Sequence, residues 1–230
     1  MADPAQSLVI FDCDGVLVDS EPIAMAVLTE VLAEAGLTLD QDAAYDQFLG
    51  RSTASVAGTL AERYGLTLTP GLVNRIRTRL YDRLERELKP VPQVGAVVAG
   101  LAGARCVASS SQMERIRLSL AATGLLDLFE PYLFSACDVE RGKPAPDLFL
   151  HVAAAMGIRP ADCTVIEDSP AGIAAAKAAG MRVFAFIGAG HAEAGGLHDR
   201  VAPMAPDAIF SDMRDLPGLL TRSALGETTA

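Results

Sequence analysis

Short apolar runs that recur between helical periods restrict the fold of this chain more than any other feature. They are SLVIF (7–11), ARCVAS (104–109), YLFSA (132–136), CTVIE (163–167), RVFAFI (182–187) and the weaker AIFS (208–211). A strand that is apolar throughout is covered on both faces, which is the environment of a parallel sheet between helices. Helical periods separate the runs from the second onward, at 112–123, 146–156 and 171–179. The pattern predicts an α/β fold with a doubly wound, Rossmann-like parallel sheet.

The interval between the first two runs breaks the alternation. From about residue 21 to 88 there is no strand pattern, only helical ones at 21–35, 41–48, 53–64 and 71–88, punctuated by Gly36, Gly50, Gly65 and Pro70. That is too long for one crossover helix. It predicts an α-helical cap domain (17–91) inserted into a core formed by 1–16 and 92–230. The return linker is LKPVPQV (88–94), whose Pro90 and Pro92 suit a stiff hinge.

Half of the 230 residues are hydrophobic, enough for a packed core, and the formal charge is −10. Such acidity argues against nucleic-acid or anionic-membrane partners, which select a basic face. The first apolar run is too short for a signal peptide, and no run of 18 apolar residues exists to span a membrane. Cys13, Cys106, Cys137 and Cys163 lack C-x-x-C spacing and lie in or beside strands, so they read as buried, reduced thiols. These features predict a cytoplasmic protein acting on a small molecule, as a monomer or weak homodimer.

Ligands of open parallel sheets bind beyond the carboxyl ends of the strands. After the first run come Asp12, Cys13, Asp14 and Gly15; side chains two apart on extended chain point the same way, so Asp12 and Asp14 share one space. Ser109, Ser110 and Ser111 follow the second run, and Lys143 in RGKPAPD follows the third. Glu167, Asp168, Ser169 and Pro170 follow the fourth and open a helix. Crowded carboxylates resist ionising together. Mg2+ held by Asp12 and Asp168 would remove that repulsion; with Lys143 it would neutralise phosphate oxygens, one of which Ser109 would hydrogen-bond. One carboxylate of the Asp12/Asp14 pair then attacks phosphorus while the other moves the proton.

The motif FDCDGVLVDS resembles the D-x-D signature of the haloacid dehalogenase (HAD) superfamily, and VASSSQ, GKPAPD and VIEDSPAGIAAAKAAGM are similar to its second, third and fourth motifs in order. The resemblance covers nearly the whole chain. It points to the β-phosphoglucomutase-like sugar phosphatases, with the 6-phosphogluconate phosphatases similar in motif layout. It implies Asp12 as nucleophile and Asp14 as general acid/base, with Ser109 and Lys143 completing the catalytic set. It implies a Mg2+ site of Asp12, Asp14 (through its main-chain carbonyl), Glu167 and Asp168. The phosphate falls to Ser109, Ser110 and Lys143. Ser20 and Glu21, where the chain enters the cap, face the leaving group; Gly50 and Arg51 in FLGRS resemble a specificity loop, with Arg51 placed for a second anionic group.

True dehalogenases lack the second aspartate, present here as Asp14. The mutases carry a histidine early in the cap, at a place that counts forward to Ala24 here. Hydrolysis of a sugar phosphate or a 6-phosphogluconate-like metabolite through an aspartyl-phosphate is therefore the favoured reading. A hexose phosphomutase is the alternative. A phospho-accepting signalling receiver is disfavoured, since receivers are shorter and lack the insert. Ser111 reads as a helix N-cap, and Arg77, Arg79 and Arg83 as a solvated, ion-paired face. His151, His191 and His198 show no metal spacing, and GAGHAEAGG does not fit a dinucleotide fingerprint.

Overall fold

In the computed structural model, which describes residues 7–49 and 53–224, the expected strands form one parallel sheet. They are β1 (Leu8–Phe11), β2 (Ala104–Ser109), β3 (Leu133–Ser135), β4 (Cys163–Glu167), β5 (Arg182–Phe186) and β6 (Ala208–Phe210). Their order is β3-β2-β1-β4-β5-β6. β1 lies in the middle, with Ile10 paired to Cys106 of β2 on one side and to Val165 of β4 on the other.

The period of two explains why β1 is apolar throughout. Val9 and Phe11 enter one core, with Val107, Ile166 and Phe184; Leu8 and Ile10 enter the opposite one, with Cys106, Ala108 and Val165. Burying each such side chain contributes about 1.5–3 kcal/mol. The chain leaves β1 for β2 on one side and later returns to β4 on the other. The carboxyl end of β1 therefore lies at the switch point where such sheets open a crevice.

Between β1 and β2 lie α1 (Glu21–Glu34), α2 (Gln41–Phe48), α3 (Thr53–Tyr64) and α4 (Pro70–Glu87). They enclose a separate apolar cluster that includes Met25, Leu28, Leu32, Phe48 and Leu60. α1 and α4 are also laced by exposed ion pairs, Arg79 to Glu34 at 2.8 Å and Arg83 to Glu30 at 2.9 Å. Pairs of this kind are worth little individually. The way in and the way out of the insertion are stitched together: Asp19 N donates to Lys89 O (3.0 Å) and Val91 N to Leu17 O (2.9 Å).

The remaining helices are α5 (Val94–Gly100), α6 (Met113–Ala122), α7 (Asp147–Met156), α8 (Pro170–Ala178), α9 (Leu197–Val201) and α10 (Leu216–Ala224). α5 begins at the end of the expected linker and had no clear sequence signal, because VGAVVAG is short and five of its seven residues are glycine or valine, which favour helices weakly. Its burial of Val94 and Val98 against the sheet outweighs that preference. Cys13, Cys106 and Cys163 are buried as expected, but Cys137 is exposed, because it sits in the turn after β3. Among the described residues no helix is long and apolar enough to cross a membrane.

Candidate active site

Four consecutive strand ends converge beyond β1. Asp12 continues the strand, its N–H donating to Ile166 O at 3.0 Å. Gly15 then turns the chain at φ 79°, and a β-carbon there would fall 1.9 Å from Asp168 Oδ2. Only glycine meets both demands. Lys143, its side chain 3% exposed, reaches from the loop after β3 to within 3.2 Å of Asp12 Oδ1 and 2.6 Å of Glu167 Oε1. Its Nζ also donates to Ala108 O at 3.1 Å. Burial alone would push the Lys143 pKa down, but Asp12 and Glu167 reverse this and raise it, so the ammonium stays charged.

Asp12, Glu167 and Asp168 each present an oxygen within 4.8 Å of the others, and all three are buried. Burial is the main reason that the Asp12 and Asp168 pKa values rise; Lys143 opposes it at Asp12, and a hydrogen bond with His191 opposes it at Asp168. Three buried carboxylates facing one lysine leave a surplus of negative charge that a divalent cation with oxygen ligands fits. Within the cluster Glu167 differs. Its Oε2 accepts from Asp168 N, Ser169 N and Ser169 Oγ at 2.9–3.1 Å, and its Oε1 from Lys143. It is tucked beneath α8, where a β-carbon on Gly172 would fall 1.9 Å from its carboxyl carbon.

Asp14 belongs to a second constellation. Its Oδ1 accepts from Ser20 Oγ (2.6 Å) and Arg115 Nη2 (2.7 Å), and its Oδ2 from Ser111 Oγ (2.7 Å). Burial would raise the Asp14 pKa; Arg115 and the hydroxyl donors outweigh it and lower it. Among the described residues no such cluster surrounds nearby Glu21, and burial, with Asp14 and Asp168 adding repulsion, raises its pKa to about 7. The site thus holds one carboxylate kept ionised and another that titrates near neutrality.

Most of the residues expected from the sequence meet here. Asp12, Lys143, Glu167 and Asp168 meet in one buried space, and Asp14 lies close enough to act on Asp12 electrostatically, with Ser20 buried against it. Ser109 is buried and accepts from Ser111 N at 3.1 Å, whereas Ser110 is exposed. Gly50 and Arg51 lie outside the described residues.

Two expectations need correction. Ser111 is not the N-cap of α6, a position taken by Gln112; its hydroxyl serves Asp14 instead. His191 is not a bystander: it is 2% exposed and its Nε2 lies 3.2 Å from Asp168 Oδ2. Arg115 was not singled out by the sequence at all. The ion-paired reading of the cap arginines holds for Arg79 and Arg83. His151 and His198 stand apart, His151 edge-on to Phe134 and His198 exposed beside Asp199.

Comparison with known proteins agrees with this geometry. A family model described as haloacid dehalogenase-like hydrolase matches residues 6–180. The chain is 32% identical to 6-phosphogluconate phosphatase of Escherichia coli K12 over 184 residues, covering 80% of this chain and 83% of that protein. It is 36% identical to fructose-1-phosphate phosphatase of the same organism over 179 residues, covering 75% and 92% respectively. A haloacid dehalogenase-like protein from Agrobacterium tumefaciens superposes with a TM-score of 0.85 at 37% identity, over 95% of this chain and 99% of that one.

Proposed function

The chain belongs to the haloacid dehalogenase-like hydrolases, and we propose that it is a Mg2+-dependent phosphatase of small phosphorylated metabolites, working through an aspartyl-phosphate on Asp12. The observation that carries this reading is the juxtaposition of Asp12, Glu167 and Asp168 with Lys143 in one buried space. Asp12 and Asp168, with the Asp14 carbonyl, would hold the cation; Glu167 instead anchors Lys143 and the turn into α8. When bound, Mg2+ supplies charge neutralisation for the phosphoryl oxygens and for the carboxylates around them.

An Asp12 oxygen attacks phosphorus in line with the leaving oxygen, forming a P–O bond as the substrate's ester P–O bond breaks. Lys143 and the Ser109 hydroxyl take up the charge on the equatorial oxygens. To act as the acid, Asp14 first takes up a solvent proton as substrate enters, against the Arg115, Ser20 and Ser111 contacts that keep it ionised in the free site. It gives that proton to the departing alkoxide and regains one from the water that cleaves the aspartyl-phosphate, releasing inorganic phosphate and restoring Asp12. Ser20 and Glu21 stand where the leaving group departs, and Gly50 and Arg51 remain candidates for contact with its far end.

The proposed division is a core of 1–16 and 92–230 and a cap of 17–91. The paired segments around Val18 and Pro90 form a hinge on which the cap closes to exclude bulk water. The relatives' names support a sugar phosphate or a sugar-acid phosphate as substrate. Ala24, standing where the mutases are expected to carry a histidine, favours hydrolysis over phosphoryl transfer within a sugar.

The test is a phosphate-release screen in Mg2+ over hexose, pentose, polyol and sugar-acid phosphates, read as kcat/KM. The reading expects one class to stand well above the rest. A uniformly weak response across the panel contradicts the sugar-phosphate assignment.

A further inference from the structure

The glycine-rich loop after β5 has no part in the reading above, yet it delivers a buried histidine to the end of β4. The Nε2 of His191 meets Asp168 Oδ2 at 3.2 Å, while its buried Nδ1 has no hydrogen-bond partner among the described residues. The contact therefore calls for the Nε2–H tautomer, with the ring held through Asp168. The ring also lies over Gly15, where a β-carbon would fall 3.0 Å from its Cε1. His191, Asp168 and Gly15 are packed as one unit.

Three glycines let this loop approach its neighbours closely. A β-carbon on Gly188 would fall 1.9 Å from Ser211 O at the end of β6. One on Gly190 would fall 2.4 Å from Asp19 Oδ2, and the Gly190 N–H donates to Asp19 Oδ1 at 3.1 Å. One on Gly195 would fall 2.3 Å from Leu49 Cδ2, at the end of α2. Asp19 belongs to the hinge and Leu49 to the helical insertion, so the loop rests on both while it holds His191.

A carboxylate with one oxygen held by an N–H presents its other oxygen in a fixed direction, and contacts of this kind govern metal affinity. We propose that His191 is a positioning residue that holds Asp168 in the orientation receiving Mg2+, and that the glycine-rich loop sets its place from Asp19 and Leu49. The inference rests on the reading of Asp168 as a metal ligand.

The experiment is calorimetric titration of Mg2+ into the metal-stripped full chain, without substrate. His191→Phe keeps the ring and loses the N–H; His191→Gln offers an amide N–H near the place of Nε2, and His191→Asn one near Nδ1. Mg2+ affinity is expected to fall at least about tenfold in H191F and in H191N, with H191Q recovering most of it. Wild-type affinity in folded H191F overturns the proposal. So does H191N binding as tightly as H191Q, a comparison that decides the matter even when H191F fails to fold. Gly190→Ala keeps the histidine and pushes the loop off Asp19; it should weaken Mg2+ binding too, and unchanged affinity overturns the part given to the loop. A wild-type chain that binds no Mg2+ overturns the metal assignment itself, an outcome distinct from failure at His191.

Discussion

Arg115 Nη2 donates to Asp14 Oδ1 at 2.7 Å, joining the first turn of α6 to the loop after β1. The two side chains are only 21% and 15% exposed. Removing one member of such a pair leaves a largely buried charge without its partner, which costs on the order of 3 kcal/mol. Arg115→Met should therefore lower stability in urea unfolding by about that amount. The double variant Asp14→Asn/Arg115→Met should lose less than Arg115→Met alone. With Asp14→Asn measured alone as well, a loss in the double variant equal to the sum of the two single losses would show that the pair is energetically uncoupled.

Glu21 makes stability depend on pH. Its folded-state pKa of about 7 lies above the ordinary 4.5, so the native state favours the neutral acid. A carboxyl raised in this way contributes fully below its unfolded pKa. The contribution is lost as pH rises from about 4.5 to about 7, where Asp14 and Asp168 repel the ionised form and Arg115 and His191 partly offset them. Metal-free Glu21→Gln should match wild type near pH 4 and exceed it above pH 7, by on the order of 2 kcal/mol after allowing for partial exposure. Thermal melts across pH 4–8 measure the difference. A constant difference across that range would contradict the assignment.

Mg2+ should stabilise the folded chain, because the buried surplus of carboxylate exists only in the native state. At a free concentration about a hundredfold above Kd the gain is about 2.7 kcal/mol, seen as a rise in Tm. Asp168→Asn should abolish most of that rise. Arg83→Ala, in the exposed network between α1 and α4, should leave it intact. A full Mg2+ shift in Asp168→Asn would remove Asp168 from the metal site.

The sheet was legible because a strand covered on both faces must be apolar throughout, and the turn residues at its ends were legible because few residue types suit those turns. α5 was not, because packing against the sheet overrode its composition. At the site, Asp12 and Asp168 each directly follow a strand, where sequence position nearly dictates spatial position, while Lys143 reaches in from the loop after β3. Arg115 and Ser111 serve Asp14 across 101 and 97 positions of sequence. That partnership depends on how α6 and the turn before it are set against the loop after β1, which no local pattern reveals. His191 did have a signal: the strand-end argument applied to four strands reaches it when extended to the fifth, since β5 lies next to β4.

The nucleophile tests the central claim most directly. Asp12→Asn removes the attacking charge while keeping the side chain's size, so the variant should retain its fold by circular dichroism and thermal melt. With the best substrate of the panel and Mg2+ present, its kcat should fall at least about a thousandfold. Wild type quenched in acid during turnover should carry phosphate on Asp12, and the variant none. Near wild-type turnover by Asp12→Asn, or a phosphorylated residue other than Asp12, would contradict the account.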